Sequence, residues 1–233
     1  MNGSEKEQLT EWESRRREFR ERTERLLRPA CAALGIDEDI SNLGLNPLRE
    51  YADLFPETHI FAISGPGFER PTFPLVTSYM YCAYRRTNPD SPFVELTPRN
   101  SALSELLAAH WEILPDLSPV QLADFIFTMQ TTETISHEVL TDTTDLDKPS
   151  RRDKGFVLND DARQIMTDSP IKTSLVTTDT GLSIHALTLF GWMHEKQNLG
   201  ITNINIDHRG DLHFGDRRTI CDPVFCDIPR IWY

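Results

Sequence analysis

Three runs rich in Ile, Phe, Val, Tyr and Thr, at His59–Ser64, Leu75–Tyr84 and Phe93–Thr97, are joined by links too short to hold a crossover helix. Gly65-Pro66-Gly67, Pro71, Pro74 and Asn88-Pro89 punctuate those links. Parallel neighbours need a connection of a dozen or more residues, so these strands must run antiparallel. With the helical segments that follow in the chain, the expectation is an α+β fold: a mostly antiparallel sheet of about five to seven strands, covered by three or more helices.

The helical signals are equally local. Thr97-Pro98 or Asn100-Ser101 opens a helix over 101–113 with an apolar face of Leu103, Leu106, Leu107, His110 and Leu114. Ser118-Pro119-Val120-Gln121 reads as a capping box with proline at the first helical position, starting a helix over 119–130. Its face is Leu122, Phe125, Ile126 and Met129. His110 reads as a core histidine satisfied by one hydrogen bond. A third helix is expected over 182–199, from Leu182, Ala186, Leu189, Phe190 and Met193, with Gly200-Ile201 as its C-terminal cap. His185 and His194 would then lie on different faces of that helix. Thr173–Thr178 reads as a strand.

Residues 1–34 form a charged N-terminal helical extension ahead of a single α+β domain, 35–233. Over 4–28 the acid precedes the base at i,i+4 five times, as in Glu21 to Arg25 and Glu24 to Arg28. The apolar stripe Leu9, Trp12, Phe19, Leu26 is narrow, and Pro29 predicts a kink near Arg28 before a short segment that Gly35 ends. Within the domain, 141–155 is polar throughout and reads as a flexible loop.

Charge limits the partners. The chain carries 24 basic and 36 acidic side chains, a formal charge of -12. Residues 1–34 hold eight of the bases and seven of the acids, leaving 16 against 29 in the rest. Such a body repels phosphate backbones and so is not a general nucleic-acid binder. No apolar run is long enough to cross a bilayer, which points away from a membrane. Met-Asn-Gly-Ser lacks a signal pattern, and Cys31, Cys82, Cys221 and Cys226 lie too far apart for a disulfide framework. A cytoplasmic protein with free thiols is the expectation.

The densest chemistry lies between Asp207 and Asp227, with His208, His213, Cys221, Cys226 and five aspartates. Alternation of Ile204 and Ile206 with Leu212 and Phe214 predicts a hairpin whose loop is His208-Arg209-Gly210, Gly210 taking the left-handed position. The register then pairs Asp207 with Asp211, Ile206 with Leu212, Asn205 with His213 and Ile204 with Phe214. All four apolar residues share the inner face, and Asn205, Asp207, Asp211 and His213 share the outer one. Two opposed carboxylates need compensation from solvent, from Arg209, Arg217 or Arg218, or from a cation.

Asp207, Asp211 and His213 are therefore the candidate ligands for a divalent cation (Mg, Mn or Zn), with Asp211 and His208 as candidate proton carriers and Asp216 as a helper. Zinc on His208, His213, Cys221 and Cys226 is a looser set, because both gaps span four residues. His208-Arg209-Gly210-Asp211-Leu212 resembles the catalytic loop of kinases and aminoglycoside phosphotransferases, but a glycine follows the Arg and Asp216 replaces the expected Asn. No Gly-rich loop precedes it. Ser136-His137-Glu138 cannot act as a relay, since adjacent side chains diverge. With no complete catalytic set, the leading expectation is an acidic binding protein acting on a protein partner. The alternative is a metal-dependent hydrolase on the C-terminal hairpin, and a third reading is a homo-oligomer assembled through the N-terminal helix.

Overall fold

The computed structural model describes residues 21, 24–37, 39–65, 79–85, 93–96, 101–130, 136–149, 156–168, 170–191 and 197–227. Two compact units divide the chain, Met1–Leu96 and Thr97–Tyr233. The fold class is α+β, with antiparallel pairing throughout both main sheets.

In the first unit, β1 (Gly44–Pro47), β2 (Thr58–Ser64), β3 (Tyr79–Arg85) and β4 (Val94–Glu95) form a four-stranded sheet in sequence order. Each strand pairs antiparallel with its predecessor, as the sequence reading anticipated for the three later strands. Residues 24–34 are helical (α1), running through Pro29 without the expected break. Proline removes one donor, toward the Arg25 carbonyl. Against that loss, Leu27, Ala30 and Cys31 on both sides of it are buried with Leu43, Leu45, Phe61, Ile63 and Phe93, which holds the axis. Gly35, at φ +67, ends the helix as its composition implied. The Ile36 amide then donates back to the Cys31 carbonyl at 3.0 Å, closing a six-residue C-terminal cap. Glu24 and Arg28 form one of the anticipated i,i+4 pairs at 4.0 Å. The remaining pairs ahead of Glu21 lie outside the described residues.

The second unit is built on two long strands. β8 (Gly181–Gly191) and β9 (Asn198–Asp207) pair along their length, from Gly181 opposite Asp207 to Phe190 opposite Asn198. The helix expected over 182–199 is therefore this strand pair. Leu182, Ile184 and Ala186 alternate with Ser183 and His185, and the two-residue period prevails over the helical one because a sheet partner is available on each side. His194 lies outside the described residues. Gly200 caps nothing: it sits in mid-strand, where a Cβ would meet the Arg217 guanidinium carbon at 2.6 Å.

Each long strand shares its outer edge between two short ones. On the β8 edge lie β5 (Ser136–Val139), opposite Thr188–Gly191, and β7 (Ser174–Thr178), opposite Gly181–His185. On the β9 edge lie β10 (Leu212–Phe214) and β11 (Arg218–Cys221). Thr173 fills the gap between β5 and β7: its hydroxyl donates to the Leu140 carbonyl at 2.5 Å and accepts from the Leu187 amide at 3.0 Å. The chain between these strands leaves and returns through a bridge of Asp142 to Lys172. Within the stretch read as a flexible loop, Thr143–Asp147 makes a 3-10 turn with Thr143 and Leu146 buried, and residues 150–155 lie outside the described set.

Helices cover the two faces unequally. α2 (Ala102–Ala109) is shorter than read, ending in a turn at His110, whose Nδ1 lies 2.9 Å from the Leu106 carbonyl. α3 (Pro119–Gln130) matches its reading, with Ser118 accepting from the Gln121 and Leu122 amides. Leu122, Phe125, Ile126 and Met129 are all buried, at about 1.5–3 kcal/mol each relative to exposure. Phe127 on the same helix meets Phe214 and His137, which places α3 over the face that carries Ile184 and Ile204. A helix the composition did not announce, α4 (Asp160–Asp168), packs Ala162 with Leu187, Leu189 and Leu199 on the other face. Asn159 caps it, accepting from the Ala162 amide at 2.7 Å, and its own amide donates to the Val224 carbonyl at 2.9 Å. β6 (Val157–Leu158) pairs separately with β12 (Phe225–Asp227), burying Phe225, and the rest of the C-terminal tail lies outside the described residues.

Gly210 combines two demands. It adopts φ +79, and a Cβ there would lie 2.0 Å from the Ser104 carbonyl oxygen on α2. Gly210→Ala should cost about 2–4 kcal/mol, from left-handed strain plus backbone displacement. Gly215→Ala, where the nearest atom is the Asn203 Cβ at 3.3 Å, should cost under about 1 kcal/mol by comparison. Urea midpoints at constant m-value check both.

Candidate functional site: an open polar quadrant of the second sheet

The predicted C-terminal hairpin forms in the predicted register: Leu212 opposite Ile206, His213 opposite Asn205 and Phe214 opposite Ile204. Ile204 and Ile206 are buried, Leu212 is half-buried, and Phe214 is 42 % exposed at the sheet margin beside Phe127. Phe214 thus departs from the buried face drawn for it, because β10 is the outermost strand there and α3 shields only one side of the ring.

Backbone amides meet the Asp207 carboxylate at the loop. Asp207 Oδ1 accepts the Arg209 amide at 2.8 Å and the Asp211 amide at 3.0 Å, while the Gly210 amide donates to the Asp207 carbonyl at 2.9 Å. The Asp211 amide above all holds the Asp207 carboxyl below the ordinary aspartate range, with lesser help from the Arg209 amide and from the charges of Arg209 and His213. The same residue that looked like a metal ligand is the acceptor that closes the turn. His208, at the tip, sets its ring edge-on to Trp111 with centroids 4.9 Å apart, and its Nε2 is 3.5 Å from the Asp179 carbonyl. Two features therefore hold the tip on α2 and the turn after it, this ring contact and the close approach at Gly210.

The remaining ligand candidates disperse. Cys221 is buried, its thiol donating to Asn159 Oδ1 and the Pro223 carbonyl, and burial pushes its pKa up; Cys226 is exposed on β12. Arg217 turns away from the aspartates and lies half-buried, donating to the Thr188 and Asn198 carbonyls at 3.3 and 3.2 Å and stacking on Phe190 at 5.2 Å. His137 faces α3, 3.8 Å from Asp124, where burial lowers its pKa. Among the described residues no three His, Cys, Asp or Glu side chains form a group that could hold a metal ion.

What the registers bring together instead is a polar field. Thr178, Gly181, Asp207 and Asp211 form one row across β7, β8, β9 and β10; Val176, Ser183, Asn205 and His213 form the next; Ser174, His185 and Asn203 the third. These positions project to the face opposite α3. Its other half is covered by α4, but here Ser174, Val176, Thr178, His185, Asn205, Asp211 and His213 are exposed. The field holds no aromatic platform on which a base or sugar ring would stack.

Compared with protein-family models, characterised proteins and solved structures, the chain matches none.

The outer half of the field was legible on the hairpin, in Asn205, Asp207, Asp211 and His213. Its inner half, on β7 and β8, was hidden by the helical reading of 182–199. The usable signal was Ser183 and His185 alternating with Leu182, Ile184 and Ala186.

Asp207 supplies a sign-defined test. Its folded pKa is depressed, so its contribution is complete above the unfolded value of about 3.9 and fades as pH falls through the folded value. The stability gap between wild type and Asp207→Asn should be constant from pH 7 to 5 and shrink below about pH 4, read from urea midpoints across that range. A gap independent of pH would show that the carboxylate charge plays no part in closing the loop.

Proposed function

We propose that the chain is a non-catalytic binding protein that recognises a protein partner on the open quadrant of its second sheet. The observation that supports this reading is the uncovered field itself: three rows of Ser, Thr, Asn, His and Asp side chains around Val176, which is 50 % exposed. Antiparallel sheets often leave a polar face to water, and here that face offers many hydrogen-bonding side chains at fixed spacing around one exposed apolar residue, Val176. The partner is a protein with a basic surface. Residues 97–233 carry 20 acidic against 12 basic side chains, and Asp207 and Asp211 occupy one margin of the field. Complementary charge raises the encounter rate and fixes orientation, while the polar rows supply hydrogen bonds once water is displaced.

The hydrolase alternative acquires no specific observation in its favour, since among the described residues no three His, Cys, Asp or Glu side chains gather into a metal-binding group. A photo-crosslinking side chain placed at Asn205 in the full chain should give one discrete adduct with a protein from the native extract. The same group at Gln164, exposed on α4, should give none. Excess wild-type chain should compete the adduct away, and an Asp207→Lys/Asp211→Lys chain should not. Equal adducts at both positions, or competition by the charge-reversed chain, would sink the proposal.

A further inference from the structure

β7 is the margin of the open quadrant opposite β10, and its free edge has a definite polarity. The β7–β8 hairpin turns through two residues, Asp179 and Thr180, with Thr178 opposite Gly181. In an antiparallel ladder alternate residues point their backbone groups to opposite sides, so Ser174, Val176 and Thr178 face β8, while Leu175 and Thr177 face outward. The start of the strand confirms the phase. The Thr173 amide, two residues before Leu175, donates outward to the Thr141 carbonyl at 2.9 Å, and the Thr143 amide reaches the Ile171 carbonyl at 3.0 Å. Beyond that bridge residues 139 and 140 turn in to pair with β8, so no described strand continues alongside Leu175 and Thr177.

Exposed edges are normally blunted by a charge, a proline or a bulge. Ser174-Leu175-Val176-Thr177-Thr178 contains none of these, and β-branched residues fill its centre. We propose that β7 is the docking edge: an extended, lysine- or arginine-bearing segment of the partner adds there as a further strand, hydrogen-bonded to the outward amides and carbonyls of Leu175 and Thr177. This deepens the open-quadrant reading and rests on it. The added strand would place alternate side chains on the same face as Val176. Charge selects the occupant. Asp179 stands at the turn, Asp207 and Asp211 lie in the row that begins at Thr178, and Asp116 ends the 3-10 turn packed beside β7, against Lys172 at the far end and Arg209 at the hairpin tip.

Thr177→Pro is the selective variant, because it deletes an outward amide and leaves the β8 ladder its own donors. The probe is an octapeptide of alternating Lys and Val, compared with the same peptide N-methylated at every second residue, titrated by calorimetry against the full chain. Wild type should bind the plain peptide at least tenfold more tightly than the methylated one. Thr177→Pro, checked for an unchanged circular dichroism spectrum, should lose at least tenfold, and the Leu175 and Thr177 amides should exchange more slowly on binding. Asp207→Asn/Asp211→Asn should weaken binding severalfold. If binding depends on the aspartates but ignores Thr177→Pro and methylation, strand addition is overturned and the open quadrant stands. Absence of any peptide binding also overturns it, with the Asn205 adduct still deciding the quadrant on its own. A wild-type dimer in light scattering that Thr177→Pro converts to monomer would assign the edge to a second copy and overturn the basic partner.

Discussion

Everything in the second unit hangs on the β8–β9 ladder. Gly181 to Phe190 lie opposite Asp207 to Asn198 without interruption, and every other strand of that sheet takes its register from one of these two. A ladder this long fixes which residues share a face, because a slip of one position would send Leu182, Ile184, Ile204 and Ile206 to the solvent side. The buried character of those four residues is thus what locates Ser183, His185, Asn203 and Asn205 on the opposite face. The open quadrant follows from the core rather than from any preference of the polar residues themselves.

Close range decided what could be read from the chain. The hairpin at Asp207–Asp211, the cap at Ser118, the glycine stop at Gly35 and the antiparallel order of the first sheet all depend on residues within a few positions of one another, and all are found. The failures needed distant partners. Leu182–Leu189 satisfies both a helical and a strand period, and only β7 and β9 on either side settle the matter. Gly200 reads as a cap until Arg217 is seen lying over it. α1 survives Pro29 because β1 and β2 supply a surface for Leu27 and Ala30. One sheet was expected, and the described residues form two main sheets and a separate β6–β12 pair. The site was half legible for the same reason: its hairpin margin is local, and its β7–β8 half is not.

The aspartate pair shows how a chemical signature can be absorbed by the fold. Opposed carboxylates need compensation, for which solvent, Arg209, Arg217, Arg218 or a cation were the expected sources. The chain turns the Arg209 and Asp211 amides onto Asp207, so loop dipoles contribute to that compensation, and Arg217 is engaged by the Thr188 and Asn198 carbonyls. His208 against Trp111 and Gly210 against Ser104 then tie that loop to the helix layer. Rigidity at the tip gives the quadrant a fixed border.

The Asp142–Lys172 bridge brings the two ends of the excursion 143–171 to neighbouring-strand distance. The excursion is nevertheless tied back into the unit, through β6 paired with β12 and the Asn159 amide on the Val224 carbonyl. Leu146, Leu158 and Ala162, which shield Leu187, Leu189 and Leu199, all come from it. The extent of this excursion therefore sets the frontier between the dry and the wetted half of one sheet face.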